Sequence, residues 1–400
     1  MSQNHSSERP AGPPDGSRPP RLGIVGGGQL ARMTALAAAP LGIEVVALEK
    51  SADCPAAAVV KQLIVGNWNE APALLELASL VDVVTLENEF VSSHALETMV
   101  QAGHRLNPTV ATLRLVQDKL VQKRTLAEVG LAVPVFAAVA NPEELRAQGQ
   151  RLGWPLVLKT RRNGYDGKGN FTLRSEADIS TAWEALGGGT DKHALYVEAF
   201  CPYVSELAVI ITRTAGGAMA EYPVVETVQR DHICHIVRAP AAVSPETAKE
   251  AARLARRAIE TIKGVGSFGV EMFLLADGRV LINELAPRVH NSGHYTIEGC
   301  VCSQFENHVR AVLGWPLGPT TLRAPASVMV NLLGVGPGPG RPFGLERALT
   351  IPGAHVHVYG KGESKAGRKM GHVTALGASV ADAEKLARLA TDTMRFGNNP

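Results

Sequence analysis

The run Val270-Glu271-Met272-Phe273-Leu274-Leu275-Ala276-Asp277-Gly278-Arg279-Val280-Leu281-Ile282-Asn283-Glu284 decides the fold of its surroundings. An Asp-Gly dipeptide between two apolar stretches is a strong signal for a β-hairpin with a two-residue loop. If Asp277 and Gly278 form that loop, counting outward along both strands places Glu271 directly opposite Glu284. The two carboxylates then lie on the same face of the hairpin.

Like charges on facing strand residues destabilise a hairpin, so this register predicts a cation between Glu271 and Glu284. A magnesium ion that also binds nucleotide phosphates fits the pair, and Asn283 supplies a further oxygen donor nearby. The alternative is a glutamate that turns into solvent or pairs with a basic residue. The hairpin therefore predicts a site for Mg2+ and a nucleotide.

A second candidate for phosphate binding is the glycine-rich loop Arg161-Arg162-Asn163-Gly164-Tyr165-Asp166-Gly167-Lys168-Gly169. Its glycines allow backbone N–H groups to surround an anion, while its arginines and lysine supply charge. Taken alone, such a loop is more often only a turn, and its spacing is not the GxxxxGK[ST] pattern. Together with Lys159 on the preceding strand and the acidic hairpin, the loop predicts a flap over phosphates.

The elements around this loop predict a small α+β subdomain suited to be a lid. Predicted strands at 156–159, 171–174 and 194–198 accompany a helix that begins at Asn141 and Pro142. Strands at 207–212 and 222–228 and a helix from Ser244 to about Ile262 then lead to the hairpin. Beyond residue 326 the pattern predicts short strands and a final helix from about Val380.

The N-terminal part alternates strands with helices, which predicts a parallel sheet. Strands are predicted from Leu22, at 44–49 and at 82–86, and helices up to Ala38, at 70–80 and at 93–103. One amphipathic helix over 109–129 follows, and we expect a domain boundary near 110–120. The first twenty residues, which are rich in Pro, Ser and Gly, are expected to form a disordered tail.

The N-terminal turn allows a rival function. Gly26-Gly27-Gly28-Gln29-Leu30-Ala31 satisfies a loose dinucleotide-binding pattern, and Glu49 ends the next predicted strand, where an NAD-binding carboxylate belongs. This favours an NAD-dependent oxidoreductase. The pattern is weak by itself, because any phosphate-bearing molecule can use a glycine-rich turn before a helix.

Composition excludes several classes of protein. The 400 residues carry a formal net charge of +2 without long basic blocks, which argues against nucleic-acid binding, and no apolar run reaches the length of a membrane span. Five cysteines form an odd set without a CxxC pair, so neither a disulfide framework nor a zinc site is expected. The chain is expected to be a cytoplasmic protein of two or three domains.

Two further clusters were considered for ligand binding. His290-Asn291-Ser292-Gly293-His294 lies in a predicted loop, where substrate hydrogen bonding is favoured over zinc binding. Lys361 and the run 365–372 concentrate positive charge, either as a solvated loop or as a phosphate clamp. Cys300 and Cys302 are expected only to pack.

The segment Asn283-Glu284-Leu285-Ala286-Pro287-Arg288-Val289-His290-Asn291-Ser292-Gly293-His294 resembles the N5-carboxyaminoimidazole ribonucleotide synthases, an ATP-grasp family of purine biosynthesis. The resemblance also covers residues 26–33, 164–169, 303–306 and 367–372. It implies an α/β ATP-grasp fold with these parts: a disordered tail at 1–20, a Rossmann-like pre-ATP-grasp domain at 21–115, an ATP-grasp domain at 116–320 with a lid at about 135–205, and a β-rich C-terminal domain at 321–400.

The resemblance also implies a reaction and its ligands. ATP, bicarbonate and 5-aminoimidazole ribonucleotide would give ADP, phosphate and the N5-carbamate through carboxyphosphate, with Mg2+ on Glu271 and Glu284. The residues implied to bind ATP are Lys119, Lys159, Gly164, Tyr165, Asp166, Gly167, Lys168, Gly169, Asn170, Glu198, Ala199, Phe200, Cys201, Glu206, Asn283 and Glu284. Those implied to bind the ribonucleotide are Gln29, Leu30, Glu89, His290, Asn291, Lys361, Arg368 and Lys369, and the catalytic group is Tyr165, Asp166 and Arg288.

The chain departs from the family pattern at two places. Lys365-Ala366 stands where Arg-Pro is usual, and Gln229 replaces a histidine that is frequent near the nucleotide. The resemblance implies a homodimer and no nucleic-acid or membrane partner. A formate-dependent glycinamide ribonucleotide transformylase is the nearest alternative within the fold, followed by the oxidoreductase and a catalytically silent nucleotide-binding protein.

Overall fold

The computed structural model describes residues 17–164, 168–188 and 194–398 of the chain. The predicted flap residues Tyr165, Asp166 and Gly167 lie outside these ranges, as does most of the predicted N-terminal tail. Across the described ranges, no helix combines the length and the apolar character needed to cross a membrane. Three connected parts follow one another along the chain.

The N-terminal part is a parallel sheet covered by helices, as the alternating pattern predicts. Its elements are β1 (Arg21–Val25), α1 (Gln29–Ala38), β2 (Glu44–Glu49), β3 (Gln62–Val65), α2 (Ala71–Ser79), β4 (Val83–Leu86) and α3 (Ser93–Gln101), with the strand order β3-β2-β1-β4. Strands β1, β2 and β4 are buried on both faces, which accounts for their continuous apolar runs. The edge strand β3 is short and half-exposed, and it was not predicted.

The predicted single helix over 109–129 is wrong: two helices, α4 (Val110–Gln117) and α5 (Lys119–Glu128), meet at Asp118. Asp118 has extended backbone angles (φ −101°, ψ 100°), and its carboxylate accepts hydrogen bonds from the N–H groups of Leu120 and Val121. The same carboxylate binds the guanidinium of Arg161 (3.0 and 2.5 Å). A capping side chain that offers the backbone another partner interrupts a helix whose apolar period is continuous.

The second part is an antiparallel sheet with its own core. Its elements are β5 (Phe136–Val139), α6 (Pro142–Leu152), β6 (Leu156–Thr160), β7 (Asn170–Leu173), α7 (Ile179–Ala185) and β8 (Leu195–Ala199), in the strand order β5-β8-β6-β7. Asn141 caps α6, with Pro142 at its first position, as predicted. The glycine-rich loop lies in the chain between β6 and β7, which pair with each other in antiparallel orientation.

The third part is built on one large sheet with the order β14-β13-β9-β11-β12-β15-β19-β17, and β10 pairs with β9. Its strands are β9 (Tyr203–Arg213), β10 (Met219–Glu221), β11 (Val225–Arg230), β12 (Ile233–Ala239), β13 (Gly266–Leu275), β14 (Val280–Ala286), β15 (Ala326–Leu333), β16 (Gly338–Pro339), β17 (Ala354–Val358), β18 (Glu363–Ser364) and β19 (Lys369–Gly377). Its helices are α8 (Pro245–Thr261), α9 (Thr296–Gly299), α10 (Gln304–Leu313), α11 (Leu345–Ala348) and α12 (Val380–Thr391). The predicted strand at 222–228 starts later, at Val225, and β12 was not predicted.

The C-terminal strands extend this sheet without a break. Ile236 of β12 pairs with Val330 of β15, and β19 and β17 follow on the far side. Helix α12 covers these strands, and its Glu384 forms an ion pair with Arg238 of β12 (2.6 Å). The sheet therefore links residues 233–239 directly to the C-terminal part.

The hairpin of β13 and β14 has a three-residue loop instead of the predicted two-residue loop. The N–H of Leu275 donates to the carbonyl of Arg279 (2.9 Å), and Gly278 has φ +85°. Gly278 is thus the left-handed residue that a three-residue hairpin loop requires, so the glycine signal was correct but the loop length was wrong.

A β-bulge compensates for this longer loop. Next to the loop, the pairing is displaced by one residue from the predicted register, so Met272 faces Ile282. Beyond the bulge, the predicted register is restored and Glu271 lies opposite Glu284. Asn283 is the extra residue. Because a bulge places two residues of one strand opposite one of its partner, Ile282 can point into the core while Asn283 and Glu284 both line the cleft.

Candidate active site

A cleft of about 590 Å³ lies between the antiparallel sheet, the hairpin and the loop that follows β14. This volume is in the range of small-molecule sites. The predicted residues that line it come from all three parts of the chain: Glu89, Lys119, Lys159, Gly164, Asn170, Glu198, Ala199, Phe200, Cys201, Glu206, Glu271, Asn283, Glu284, Arg288, His290, Asn291 and Lys369. The fold thus brings together residues predicted from separate motifs.

The facing carboxylates Glu271 and Glu284 stand at one end of this cleft. Lys119 Nζ lies 2.9 Å from Glu284 Oε2, and His290 Nε2 lies 3.4 Å from Glu271 Oε1. Burial, together with repulsion from Glu284 and Glu206, raises the pKa of Glu271 to about 7. The neighbouring Lys119 therefore does not fully compensate the charge of the pair.

The donor set at this end of the cleft fits a hard divalent cation. Two carboxylates and the side-chain oxygen of Asn283 offer the oxygen donors that such a cation prefers, and a cation would offset the burial and the repulsion from Glu284 that raise the pKa of Glu271. Within the described ranges, no group of three or more His, Cys, Asp or Glu side chains has the arrangement of a metal site. Such a cation would therefore share its remaining positions with phosphate oxygens or water.

A buried ion cluster surrounds Glu198 in the segment 198–201. We call this segment the hinge, because it connects the antiparallel sheet to β9. Glu198 is only 2% exposed, and its carboxylate binds Lys159 Nζ (2.8 Å) and Lys123 Nζ (3.1 Å). Although burial alone would raise the pKa of Glu198, the two ammonium groups lower it to about 2. The carboxylate of Glu198 therefore holds both lysines in place.

Lys123 is a member of this cluster that the sequence analysis missed. It is 1% exposed on α5, and its ammonium also lies 3.4 Å from the carbonyl of Ile282 on β14. Burial lowers the pKa of Lys123 to about 8, although Glu198 opposes this effect. A lysine spaced four residues after Lys119 on one helix was the only available signal, and nothing in it indicated the partner.

The hinge and the adjacent strands form an aromatic wall. Tyr203 stacks on Phe273 with ring centres 4.6 Å apart and an interplanar angle of 5°. Burial and a hydrogen bond to Glu206 raise the pKa of Tyr203 to about 12. Phe273 is two residues from Glu271 on the same face of β13, so strand alternation could have identified it.

Arg288 and Glu89 form a bidentate ion pair in the cleft (Nε–Oε2 2.6 Å, Nη2–Oε1 3.1 Å). Burial alone would raise the pKa of Glu89, but the guanidinium lowers it below its ordinary range. The two residues were assigned separately, Arg288 to carboxyphosphate and Glu89 to the ribonucleotide. The structure places them in direct contact.

The loop after Arg288 is held by polar side chains. His290 Nδ1 lies 2.8 Å from Ser292 Oγ, and burial lowers its pKa well below the ordinary value. The Asn291 amide pairs with the Asn331 amide of β15 through two hydrogen bonds (2.7 and 3.1 Å). Asn331 lies forty residues away in sequence and was not predicted.

Six predicted residues are absent from the described lining of the cleft: Gln29, Leu30, Lys168, Gly169, Lys361 and Arg368. Lys361 donates a hydrogen bond to the carbonyl of Lys369 (2.6 Å), and Arg368 is exposed and donates to the carbonyl of Glu363 (2.7 Å). Leu30 packs in an apolar cluster with Tyr359. Of the basic C-terminal residues assigned to the ribonucleotide, Lys369 is the one found in this lining.

The glycine-rich turn before α1 is occupied by acidic side chains. The carboxylate of Glu49 accepts from the N–H of Gly27 (2.8 Å), and that of Glu87 accepts from the N–H of Gly28 (2.5 Å). Burial and the nearby Glu49 raise the pKa of Glu87 to about 7. Carboxylates in these positions compete with a pyrophosphate for the same N–H groups, which argues against the NAD-dependent alternative.

Comparison with known families gives matches over most of the chain. Residues 20–117 match the ribonucleotide synthetase pre-ATP-grasp domain, residues 124–305 the ATP-grasp domain, and residues 327–386 the phosphoribosylaminoimidazole carboxylase C-terminal domain. The N5-carboxyaminoimidazole ribonucleotide synthase of Synechococcus elongatus is 42% identical over 354 residues, which are 88% of this chain and 88% of that protein.

Two further relatives extend the comparison. The phosphoribosylaminoimidazole carboxylase of Schizosaccharomyces pombe is 40% identical over 93% of this chain, which spans only 67% of that longer protein. The structure of the N5-carboxyaminoimidazole synthase of Aspergillus clavatus with ADP and 5-aminoimidazole ribonucleotide is 39% identical and superposes with a TM-score of 0.86 over 94% of this chain and 98% of that one. These matches confirm the predicted fold class.

Proposed function

Because the chain belongs to the N5-carboxyaminoimidazole ribonucleotide synthases, ATP-dependent ligases of purine biosynthesis, we propose that it carboxylates 5-aminoimidazole ribonucleotide with bicarbonate through carboxyphosphate. The observation that carries this proposal is that Glu271 and Glu284 face each other at one end of the cleft. The Arg288–Glu89 pair lines the same cleft. A phosphate site and a candidate carboxylate site thus adjoin. The formate-dependent and NAD-dependent alternatives are not favoured.

ATP is proposed to enter between the hinge and the hairpin. Residues 199–201 and the stacked rings of Tyr203 and Phe273 would contact the base, while Glu206 would accept from a ribose hydroxyl. Lys119 and Lys159 would bind phosphate oxygens, since each is already fixed by a carboxylate. The flap residues 164–170 are proposed to cover the phosphates, and of these Gly164 and Asn170 line the cleft.

Mg2+ is proposed to bind Glu271 and Glu284, with Asn283 nearby, and to neutralise phosphate charge. Attack of a bicarbonate oxygen on the γ-phosphorus would then release ADP and leave carboxyphosphate. Lys119 would exchange Glu284 for a phosphate oxygen in this state. The role of this chain's residues is to hold the phosphates in a desolvated cleft, where their charge is stabilised.

The ribonucleotide is proposed to bind beside Glu89, His290, Asn291 and Lys369. Its exocyclic nitrogen would attack the carboxyl carbon, forming the C–N bond as phosphate leaves and a proton is lost. Arg288 would orient the carboxylate, and its bidentate grip on Glu89 shows that it already holds a group of that shape. Gln29, Leu30, Lys361 and Arg368 remain predictions for the rest of this ligand.

Asp166, with Tyr165 beside it, is proposed to accept the proton from the exocyclic amine. Asp166→Asn should reduce the carboxylation rate by at least about a hundredfold, the usual range for a lost general base. The rate is measured as carbamate formed per ADP released. A loss of only a few-fold with coupling intact would exclude this role.

The central experiment measures ADP release with bicarbonate, with and without 5-aminoimidazole ribonucleotide. We expect release to require both compounds and Mg2+. Release that depends instead on formate and glycinamide ribonucleotide would overturn the proposal in favour of the transformylase. Reduced nicotinamide formed without ATP turnover would favour the oxidoreductase.

We propose a homodimer and a cytoplasmic location. The family resemblance supports a homodimer, which sedimentation of the purified protein tests directly. The five cysteines, all within the described residues, form no disulfide, which suits a reducing cytoplasm. Fluorescence imaging of the tagged chain in its own cells checks the compartment.

A further inference from the structure

Gln304, in the first turn of α10, is fully buried and makes three polar contacts with the loop after Arg288. Its Oε1 accepts from the N–H of His290 (2.9 Å), and its Nε2 donates to the carbonyl of His290 (2.7 Å). The same Nε2 lies 3.2 Å from His294 Nδ1. One amide thus binds both backbone groups of a single residue, as a neighbouring strand would.

This contact substitutes for missing secondary structure. Strand β14 ends at Ala286, so the N–H of His290 has no ladder partner, and buried backbone groups need one. The carbonyl of His290 also accepts from the N–H of Gly293 (2.9 Å). The loop fits closely over the amide: a Cβ at Gly293 would lie 2.5 Å from Gln304 Oε1. Thr296 adds a second tie, because its hydroxyl accepts from the Gln304 N–H and donates to the carbonyl of Gly293.

The residue held in this way lines the cleft beside the acidic hairpin. His290 contacts Glu271 through Nε2 and Ser292 through Nδ1, and Asn291 follows it directly. A shift of the His290 backbone would therefore displace the candidate ribonucleotide loop, while Glu271 stays fixed by the pairing of β13 with β14 and β9. Gln304 does not belong to the described lining of the cleft, so any influence on substrate passes through this loop.

We propose that Gln304 is a positioning residue for ribonucleotide binding, acting through the backbone of His290. This inference rests on the proposed function, which assigns the loop 290–292 to 5-aminoimidazole ribonucleotide. Gln304 is not among the residues that the family resemblance implies for ligand binding, and it is not in the described lining of the cleft. The amide is required because it supplies an acceptor and donors at once.

The same helix offers a matched control. Asn307, one turn later, is also fully buried, and its amide binds both backbone groups of Gly318 (Oδ1 to N–H 2.7 Å, Nδ2 to carbonyl 3.1 Å). Gly318 does not belong to the described lining of the cleft. Asn307→Leu therefore removes an equivalent pair of backbone contacts at a comparable depth without disturbing the loop 290–292.

The test compares Gln304→Met with Asn307→Leu, each of which keeps the approximate length of the side chain and replaces the amide by apolar atoms. Gln304→Met should raise the KM for 5-aminoimidazole ribonucleotide about tenfold or more, while kcat and the KM for ATP change less than about threefold. Both variants should lower the Tm to a similar extent. Asn307→Leu should leave kcat and the KM values for 5-aminoimidazole ribonucleotide and ATP unchanged. Should Gln304→Met fail to fold, Gln304→Glu keeps the volume and the acceptor, and the same KM should rise.

Three results would overturn the inference: an unchanged ribonucleotide KM in the folded Gln304 variants, an equal change in every kinetic value, or the same KM shift in Asn307→Leu. An Asn291→Ala arm separates this failure from failure of the proposed function. If Asn291→Ala leaves the ribonucleotide KM unchanged, the assignment of the loop is wrong. If Asn291→Ala raises it and Gln304→Met behaves like the control, only the role of Gln304 is wrong.

Discussion

At the scale of residues, the charged side chains of the cleft are paired with one another. Glu284 holds Lys119, Glu198 holds Lys159, and Glu89 holds Arg288. Buried charges need partners of opposite charge. In these pairs the protein supplies the partner that a phosphate or carboxylate group of a ligand would otherwise provide. Each pair thereby holds its side chains in place, and a ligand group that binds there would replace one partner of the pair.

Removing either facing carboxylate should abolish most activity. Glu271→Gln or Glu284→Gln is expected to lower kcat/KM for ATP by about 10²–10⁴-fold, since each loses charge that stabilises the bound cation. ADP release titrated with Mg2+ measures this effect. Asp277→Asn, an exposed carboxylate at the turn of the same hairpin, is the control and should behave as the wild type. Unaltered Mg2+ dependence in both glutamine variants would contradict the magnesium site.

The pairing of Glu198 predicts a pH-dependent contribution to stability. Its pKa is lowered to about 2 from an ordinary value of 4.5, so its contribution to stability is fully present above pH 4.5 and is lost as pH falls through 2. This corresponds to about 3 kcal/mol at neutral pH. Glu198→Gln should therefore be destabilised relative to the wild type at pH 7, with a gap in unfolding free energy that narrows toward pH 3. Urea unfolding at both pH values measures the gap, and a constant difference would show that the ion pairs contribute nothing.

At the scale of elements, two irregularities position the site. The break between α4 and α5 puts Lys119 at the start of a helix, where its N–H donates to the carbonyl of Arg161 at the base of the flap (2.8 Å). The bulge in β14 turns Asn283 toward Glu284. Both irregularities interrupt a regular element at the point where the cleft needs a side chain.

The helix break leads to a prediction that separates capping from function. Asp118→Ala should lower the unfolding free energy by about 1–2 kcal/mol and raise the KM for ATP several-fold, because the adjacent Lys119 loses its fixed start. Thr109→Ala removes the cap of α4, where Thr109 Oγ1 accepts from the N–H of Thr112, and should affect stability alone. Urea titration and ADP-release kinetics provide the two readouts. Equal KM values in the two variants would show that the cap of α5 does not position Lys119.

At the scale of the whole molecule, the cleft depends on parts that are distant in sequence. The pre-ATP-grasp part contributes Glu89, the antiparallel sheet contributes Lys159, and the far end of the large sheet contributes Lys369. The large sheet crosses from the ATP-grasp match into the C-terminal match through the pairing of β12 with β15. Stability of the C-terminal strands and integrity of the cleft are therefore coupled.

This continuity predicts that the C-terminal part is not removable. A chain ending at residue 325 would expose the edge of β12 and uncover Ile236, which is 1% exposed in the intact protein. We expect insoluble protein or loss of the cooperative thermal transition. Solubility and circular dichroism of the shortened chain test this, and a soluble fragment that unfolds cooperatively would contradict it.

The local features of the fold could be predicted because they depend on neighbours in sequence. Apolar runs identified β1, β2 and β4, the Asn141 and Pro142 signal identified α6, and the Asp-Gly dipeptide identified the hairpin. The pairing of Glu271 with Glu284 was correct although the loop length was not, because a bulge cancelled the error. A bulge changes the register without altering composition, so no local pattern reveals it.

The sequence by itself determined the family motif, the acidic hairpin and the glycine-rich loop, since each is a short pattern with a local physical cause. Only the tertiary structure decided the partners of those groups. Lys123 meets Glu198 across 75 positions of the chain, Asn291 meets Asn331, and Gln304 supports His290. Such contacts arise when separate elements pack and bury polar groups that must then find partners. A chain read in order shows which groups are available, and packing selects the pairs that form.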